Sequence, residues 1–269
     1  NFENLDRLTL VKNYLDPIYA ELLPFQKNQT LKFTTSWNPN STSLFDSEFL
    51  NPYQFTNLKE EEDSDELRSL GKSLFFDSML SHDNKMNCAT CHQPEKGFAD
   101  GIPKSVSNKN GITVFRNSPT LLNSAYADRY FYDLRAYTLE QQVEHVIFNN
   151  LEFNTTYAEI LNKLNTNTIY SKKFKNIFKK KTITREDFTK ALASYVLSLK
   201  SFNSSFDQYV RGESSKIEAS VANGFNLFTG KANCATCHFS PTFSGLVPPL
   251  YIENESEILG VFSNPTSKE

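Results

Sequence analysis

The chain of 269 residues is short of several things, and each shortage removes a class of protein. Nine glycines are too few for a collagen-like repeat, and no heptad pattern is sustained. Four cysteines are too sparse for a disulfide-dense scaffold. No run approaches the roughly 18 apolar residues that a membrane helix requires. Charge of one sign is missing as well: 28 Lys plus Arg stand against 31 Asp plus Glu, a formal −3. That balance removes the electrostatic case for nucleic acid. What is present is a hydrophobic fraction of 39 % with 13 % aromatics, too rich for a disordered chain and enough for a buried core.

The four cysteines fall in one pattern written twice. Asn87-Cys88-Ala89-Thr90-Cys91-His92 recurs letter for letter as Asn233-Cys234-Ala235-Thr236-Cys237-His238. A thioredoxin-like pair would sit in a βαβ pattern, which is absent. A zinc site could use four thiolates, or two thiolates and two histidines. It has no need of His directly after the second Cys, nor of an identical repeat. Covalent attachment of a c-type haem does need that His: two thiols on one side of a single turn bond the vinyl groups, and the next residue ligates iron. Cys88, Cys91 and His92 are therefore read as one haem c site, and Cys234, Cys237 and His238 as a second. Such attachment takes place outside the cytoplasm, which points to a periplasmic protein. The chain opens at Asn1 without Met, so an export signal is expected to have been removed.

Apolar spacing elsewhere is mostly helical. Leu5, Leu8, Val11, Leu15, Ile18 and Leu22 keep a helical period that Asp16-Pro17 is expected to interrupt. Residues 36–57 read as irregular. The acidic run Glu60–Asp63 reads as the solvated start of an amphipathic helix through Leu67, Leu70, Leu74 and Phe75. Helical periods follow over 121–126, 139–148, 157–164 and 188–199. Between them the Lys-rich stretch 172–181 reads as a solvated basic face, with an acidic partner as the rival reading. After His238 the chain carries Pro241, Pro248, Pro249 and Pro265 and no helical period. Nothing there would cover the far side of the second haem, so the second domain is expected to be truncated.

The order of several segments resembles the bacterial dihaem cytochrome c peroxidases and their relative MauG. Gly71-Lys72-Ser73-Leu74-Phe75-Phe76-Asp77 precedes the first Cys motif, and Gly97-Phe98-Ala99-Asp100-Gly101 follows it. Arg116-Asn117-Ser118-Pro119-Thr120, Phe131-Tyr132-Asp133-Leu134-Arg135-Ala136, Leu139-Glu140-Gln141-Gln142 and Glu152 come next. Phe206–Gly212 then leads to the second motif, and the likeness runs over residues 58–269.

The resemblance implies an all-α protein of two cytochrome c-like domains facing one another across 131–136. Residues 1–57 would be an N-terminal extension, 58–200 the peroxidatic domain and 201–269 an incomplete electron-transfer domain. It implies hydrogen peroxide as substrate at the His92 haem, with electrons from a small c-type cytochrome or cupredoxin entering at the His238 haem, and it admits a homodimer. Glu152 matches the distal acid/base and Gln142 the distal amide. Taken alone they would read as a surface carboxylate and a helix-surface amide. Heterolysis of a peroxide needs a proton moved from the near oxygen to the far one, which a carboxylate of raised pKa can do. An amide beside it can orient the molecule. Asn117 matches a calcium ligand, although in Asn-Ser-Pro it is also a turn former.

Three features depart from the pattern. Tyr132 stands where Trp is common, as a candidate electron relay or a buried core residue. The loop 105–114 has no His to cap the first haem, so that haem is expected to be open. His145 lies one turn from Gln142 and could face the same pocket, whereas His82 reads as a loop residue. The only methionines, Met79 and Met86, precede the first motif, so the distal ligand of the second haem is not in view. The residues leave open a peroxidase, a MauG-like oxidase of a partner's Tyr or Trp, and a plain dihaem electron carrier.

Overall fold

The computed structural model describes residues 4–28 and 36–257. The helices of these residues are α1 (Arg7–Leu10), α2 (Asp16–Asn28), α3 (Asp65–Phe75), α4 (Leu139–Phe148), α5 (Tyr157–Thr166), α6 (Thr168–Phe178), α7 (Arg185–Leu197), α8 (Ser205–Val210) and α9 (Ala219–Phe228). Short 3-10 turns include Cys88–Thr90 and Cys234–Thr236. Extended pairing is limited to isolated bridges, so the described chain is all-α. None of these helices is long and apolar enough to cross a membrane.

The described residues form two compact units, one within Asn51–Phe202 and one from those of Asn1–Leu50 taken together with those of Asn203–Glu269. In the unit of residues 51–202, α3 packs most extensively on α7. Leu67, Leu70, Leu74 and Phe75 of α3 meet Phe188, Ala191, Leu192 and Tyr195 in the core, all buried. The crossing is close enough that a Cβ built on Gly71 would lie 1.8 Å from the Ala191 carbonyl oxygen. Glycine is there because the two backbones touch. Ser64 caps α3 by accepting from the Leu67 N–H, and Thr138, Thr156 and Thr184 cap α4, α5 and α7 in the same way.

The acidic run departs from the sequence reading. Only Glu60–Glu62 form a 3-10 turn ahead of α3, and Asp63 is buried. Tyr53 Oη and Ser194 Oγ donate to Asp63 at 2.9 and 2.5 Å, and Arg68 Nη2 lies 3.1 Å away. Lys190 of α7 bonds Glu62 at 2.9 Å. Glu60, Glu61 and Glu62 stay exposed, as the solvated reading expects, but Glu62 and the buried Asp63 side chain also tie α7 to the chain before α3. Buried α7 carries polar residues that need partners, and for Lys190 and Ser194 the preceding segment supplies Glu62 and Asp63.

In the other unit, Leu8, Phe45, Val210 and Phe225 form the buried core, flanked by Val11, Leu44, Phe206, Tyr209 and Phe243. The described residues before Leu50 thus pack with the second Cys motif's unit, where the sequence reading set 1–57 apart as an extension. Asn226 of α9 accepts from the Arg7 and Leu8 N–H groups at 2.8 and 3.1 Å, which caps α1 from a distance of over two hundred residues. Regular α geometry breaks just ahead of Asp16-Pro17, where a π turn separates α1 from α2, although the chain stays helical. Asp16 opens α2 directly after a five-residue π turn (Val11–Leu15), and a proline in a helix's first turn forfeits no hydrogen bond.

Candidate functional site

Each Cys motif folds as one 3-10 turn. In the first, the Asn87 N–H donates to Thr90 Oγ1 at 3.1 Å, and the His92 N–H donates to the Cys88 carbonyl at 2.9 Å. In the second, the His238 N–H makes the same 2.9 Å bond to the Cys234 carbonyl. The starts differ: Asn87 is extended at φ −133°, Asn233 left-handed at φ 55°. Asn87 Nδ2 also donates to the Phe76 carbonyl at 2.9 Å, which fastens the first turn to the end of α3.

Both histidines are oriented alike. His92 Nδ1 is 3.0 Å from the Phe98 carbonyl, and His238 Nδ1 is 3.1 Å from that of Phe243. A carbonyl can only accept, so Nδ1 carries the proton and Nε2 keeps its lone pair for a metal. Phe98 and Phe243 both hold positive φ, 60° and 54°, a conformation uncommon for aromatic residues. Sequence reading missed these carbonyls, although each Phe follows a proline at a similar distance past the His. Ser118 Oγ adds a second contact to His92, 3.0 Å from Nδ1 and 3.4 Å from Nε2. Burial lowers the His92 pKa below the imidazole norm, against the opposing Phe98 bond, and so favours the neutral ligand form. Burial likewise pushes the Cys88 and Cys91 thiols up to about 12 and about 11. Two thiols flanking one turn, with an imidazole presenting Nε2, fit a covalently held haem. Among the described residues no group of three or more His, Cys, Asp or Glu could hold a bare metal ion.

Glu152 sits in the turn after α4. It is half-buried, and burial raises its pKa to about 6, against the Asn149 hydrogen bond and the charge of Arg135. Its charge is felt by both Cys88 and Cys91, so it lies within electrostatic reach of the first Cys motif. Asn149 Nδ2 donates to Glu152 Oε1 at 2.7 Å. The loop after the motif holds the backbone of this turn: Ser107 Oγ donates to the Leu151 carbonyl and Asn108 Nδ2 to that of Glu152, both at 2.7 Å. Gln142, half-buried, is two turns before Asn149 and shares its face of α4. His145 lies between them, exposed, edge-on to Phe131 at 5.3 Å between ring centroids. Arg135 stacks on the same Phe131 ring at 3.5 Å.

Tyr132 is 66 % exposed, which excludes a buried core role, and its hydroxyl donates to Asn117 Oδ1 at 3.3 Å. Asn117 is exposed and has no acidic cluster for calcium near it among the described residues. His82 is an exposed loop residue paired with Glu159 at 3.1 Å.

A family model described as di-haem cytochrome c peroxidase matches residues 65–215, more than half of the chain. The chain belongs to that family, with its all-α cytochrome c-like fold and two haem c groups. The match ends ahead of Cys234, so the second haem site rests on its own turn and histidine geometry.

Among curated relatives, the methylamine utilization protein MauG of Methylophilus methylotrophus is 38 % identical over 186 residues, covering 66 % of this chain and 54 % of its own. The cytochrome c551 peroxidase of Pseudomonas aeruginosa is 32 % identical over 191 residues, covering 70 % and 54 %. The crystal structure of a MauG-like protein associated with microbial copper homeostasis superposes with a TM-score of 0.62 at 26 % identity, covering 68 % of this chain and 55 % of that one. The chain spans about half the length of the curated relatives it matches.

Proposed function

We propose that this chain is the dihaem part of a periplasmic peroxidase that reduces hydrogen peroxide to water, with Glu152 as its proton carrier. The balance is H2O2 plus two electrons and two protons to two water molecules. Haem c, when bound, supplies the electrons and a coordination position for peroxide. Electrons enter at the His238 module from a small c-type cytochrome or cupredoxin, and are used at the His92 module.

The carrying observation is the place of Glu152, half-buried in the turn after α4, bonded by Asn149 and within electrostatic reach of Cys88 and Cys91, where burial raises its pKa. At about 6, the carboxyl is poised to take a proton from one peroxide oxygen and return it to the other near neutral pH. An unperturbed carboxylate would be a poorer acid for the return step. Gln142, on the same face of α4 as Asn149, supplies an amide that orients the substrate. The Phe98 carbonyl holds His92 in one tautomer, with Ser118 Oγ beside the same nitrogen. Covalent attachment through thiols supports the extracytoplasmic location.

A second reading, MauG-like oxidation of a partner's Tyr or Trp, is favoured by Tyr132. The phenol is exposed and hydrogen-bonded to Asn117 Oδ1, so an electron can leave it at the surface while its proton passes to solvent. Low-temperature EPR of the holoprotein, reduced by one electron, tests both readings against a plain carrier. A high-spin ferric signal that one equivalent of peroxide consumes, and that Glu152→Gln leaves present but unreactive, supports turnover at His92. Two low-spin haems indifferent to peroxide would overturn it. Appearance of oxidised Tyr or Trp on an added partner separates the oxidase from the peroxidase.

A further inference from the structure

The turn that carries Glu152 is held more tightly than a loop carboxylate requires. Asn149 Oδ1 accepts the Leu151 N–H at 3.0 Å while its Nδ2 donates to Glu152 Oε1 at 2.7 Å. The Asn149 carbonyl accepts from the N–H groups of Glu152 and Asn154, each at 3.0 Å. The amide cannot flip, because a flip would set two acceptors face to face and two donors face to face. Asn108 fixes the Glu152 carbonyl from the other side.

We propose that Asn149 is a positioning residue that divides the labour of the Glu152 carboxyl, holding Oε1 as a permanent acceptor and leaving Oε2 as the oxygen that takes and gives the proton. An amide N–H satisfies an ionised or carbonyl oxygen, and it would be lost against a hydroxyl, so the proton is confined to Oε2. The proposal rests on Glu152 as the proton carrier. The titratable and charged groups facing Glu152 are Arg135, which favours the ionised form, and Cys88 and Cys91, whose thiols no longer titrate once bonded to haem. The Asn149 bond also favours the ionised form, so it keeps the carboxyl from rising further.

The test uses the full-length holoprotein and two readouts. One is infrared titration of the protonated-carboxyl C=O band, assigned to Glu152 by its loss in Glu152→Gln. The other is the acid limb of kcat/KM for peroxide. In Asn149→Ser the hydroxyl still accepts from Leu151 but is too short to reach Glu152. A bond to a charged acceptor is lost, and both midpoints move up by about one pH unit. Asn149→Thr likewise keeps a hydroxyl acceptor for Leu151 and cannot reach Glu152, and it serves if the serine variant does not fold. A role confined to the turn predicts unmoved midpoints in both variants, and that result overturns the proposal. If Glu152→Gln still turns over peroxide, the reading of Glu152 fails instead, while the infrared midpoint continues to judge Asn149.

Discussion

Gly71→Ala adds one methyl group where α3 crosses α7, and the structure gives the size of the clash. The new Cβ would stand 1.8 Å from the Ala191 oxygen and 2.7 Å from its carbonyl carbon. Real contacts of this kind begin near 3.0 Å, so the helices must part by roughly 1.2 Å. The obstacle is backbone, which cannot rotate aside as a side chain would. Parting the pair loosens Leu67, Leu70, Leu74 and Phe75 against Phe188 and Leu192 along the whole crossing. Overpacking of this kind costs about 3 kcal/mol, the upper end of the usual range. Alanine returns about 1 kcal/mol through helix propensity. The net loss of about 2 kcal/mol corresponds to a fall of roughly 4–8 °C in Tm for a unit of this size. Thermal melts of the holoprotein by circular dichroism measure it, with exposed Lys72→Ala on the same helix as the control. Because α3 ends at the carbonyl that holds Asn87, the variant should also disturb the visible spectrum of the first haem. A Gly71→Ala protein as stable as Lys72→Ala would refute the backbone-contact account.

Ser118→Ala removes one of two contacts to Nδ1 of His92, weakens electron donation by the imidazole, and should raise the potential of the first haem alone. Spectroelectrochemical titration showing a fall, or equal shifts in both haems, would contradict it. Glu152 makes stability depend on pH in a fixed direction. Its folded pKa of about 6 exceeds the ordinary 4.5, so the folded state binds the proton more tightly, and stability declines as pH rises between those values. Glu152→Gln, which keeps an acceptor for Asn149, should therefore be about 1–2 kcal/mol more stable than the parent above pH 6.5, with the gain vanishing near pH 4.5. Melts at pH 5 and pH 7.5 compare the two, and a gain that grew as pH fell would reverse the sign of the argument.

The parts legible in the sequence were those in which one residue type answers one chemical demand. Cys-x-x-Cys-His can be read without a structure because thioether bonds and iron ligation need those side chains at that spacing. Helices α4, α5 and α7 announce themselves through apolar period, while the threonines that cap them emerge only with the structure. The illegible parts were those in which a common residue is given its meaning by a distant neighbour. Glu62 and Asp63 look like the solvated acidic start of a helix until Lys190 and Ser194, some 130 positions away, are brought against them. The carbonyls that orient His92 and His238 belong to phenylalanines, and no side-chain motif records what a main-chain oxygen does. Asn149 is the sharpest case. In Asn149-Asn150-Leu151-Glu152 it reads as a helix-ending asparagine, and that is half of its work: Oδ1 closes the turn. Nδ2 reaches Glu152 only because the turn so closed brings the carboxylate back over α4. One side chain closes the turn with one atom and bonds the acid with another, so a substitution that spares the fold can still move the chemistry.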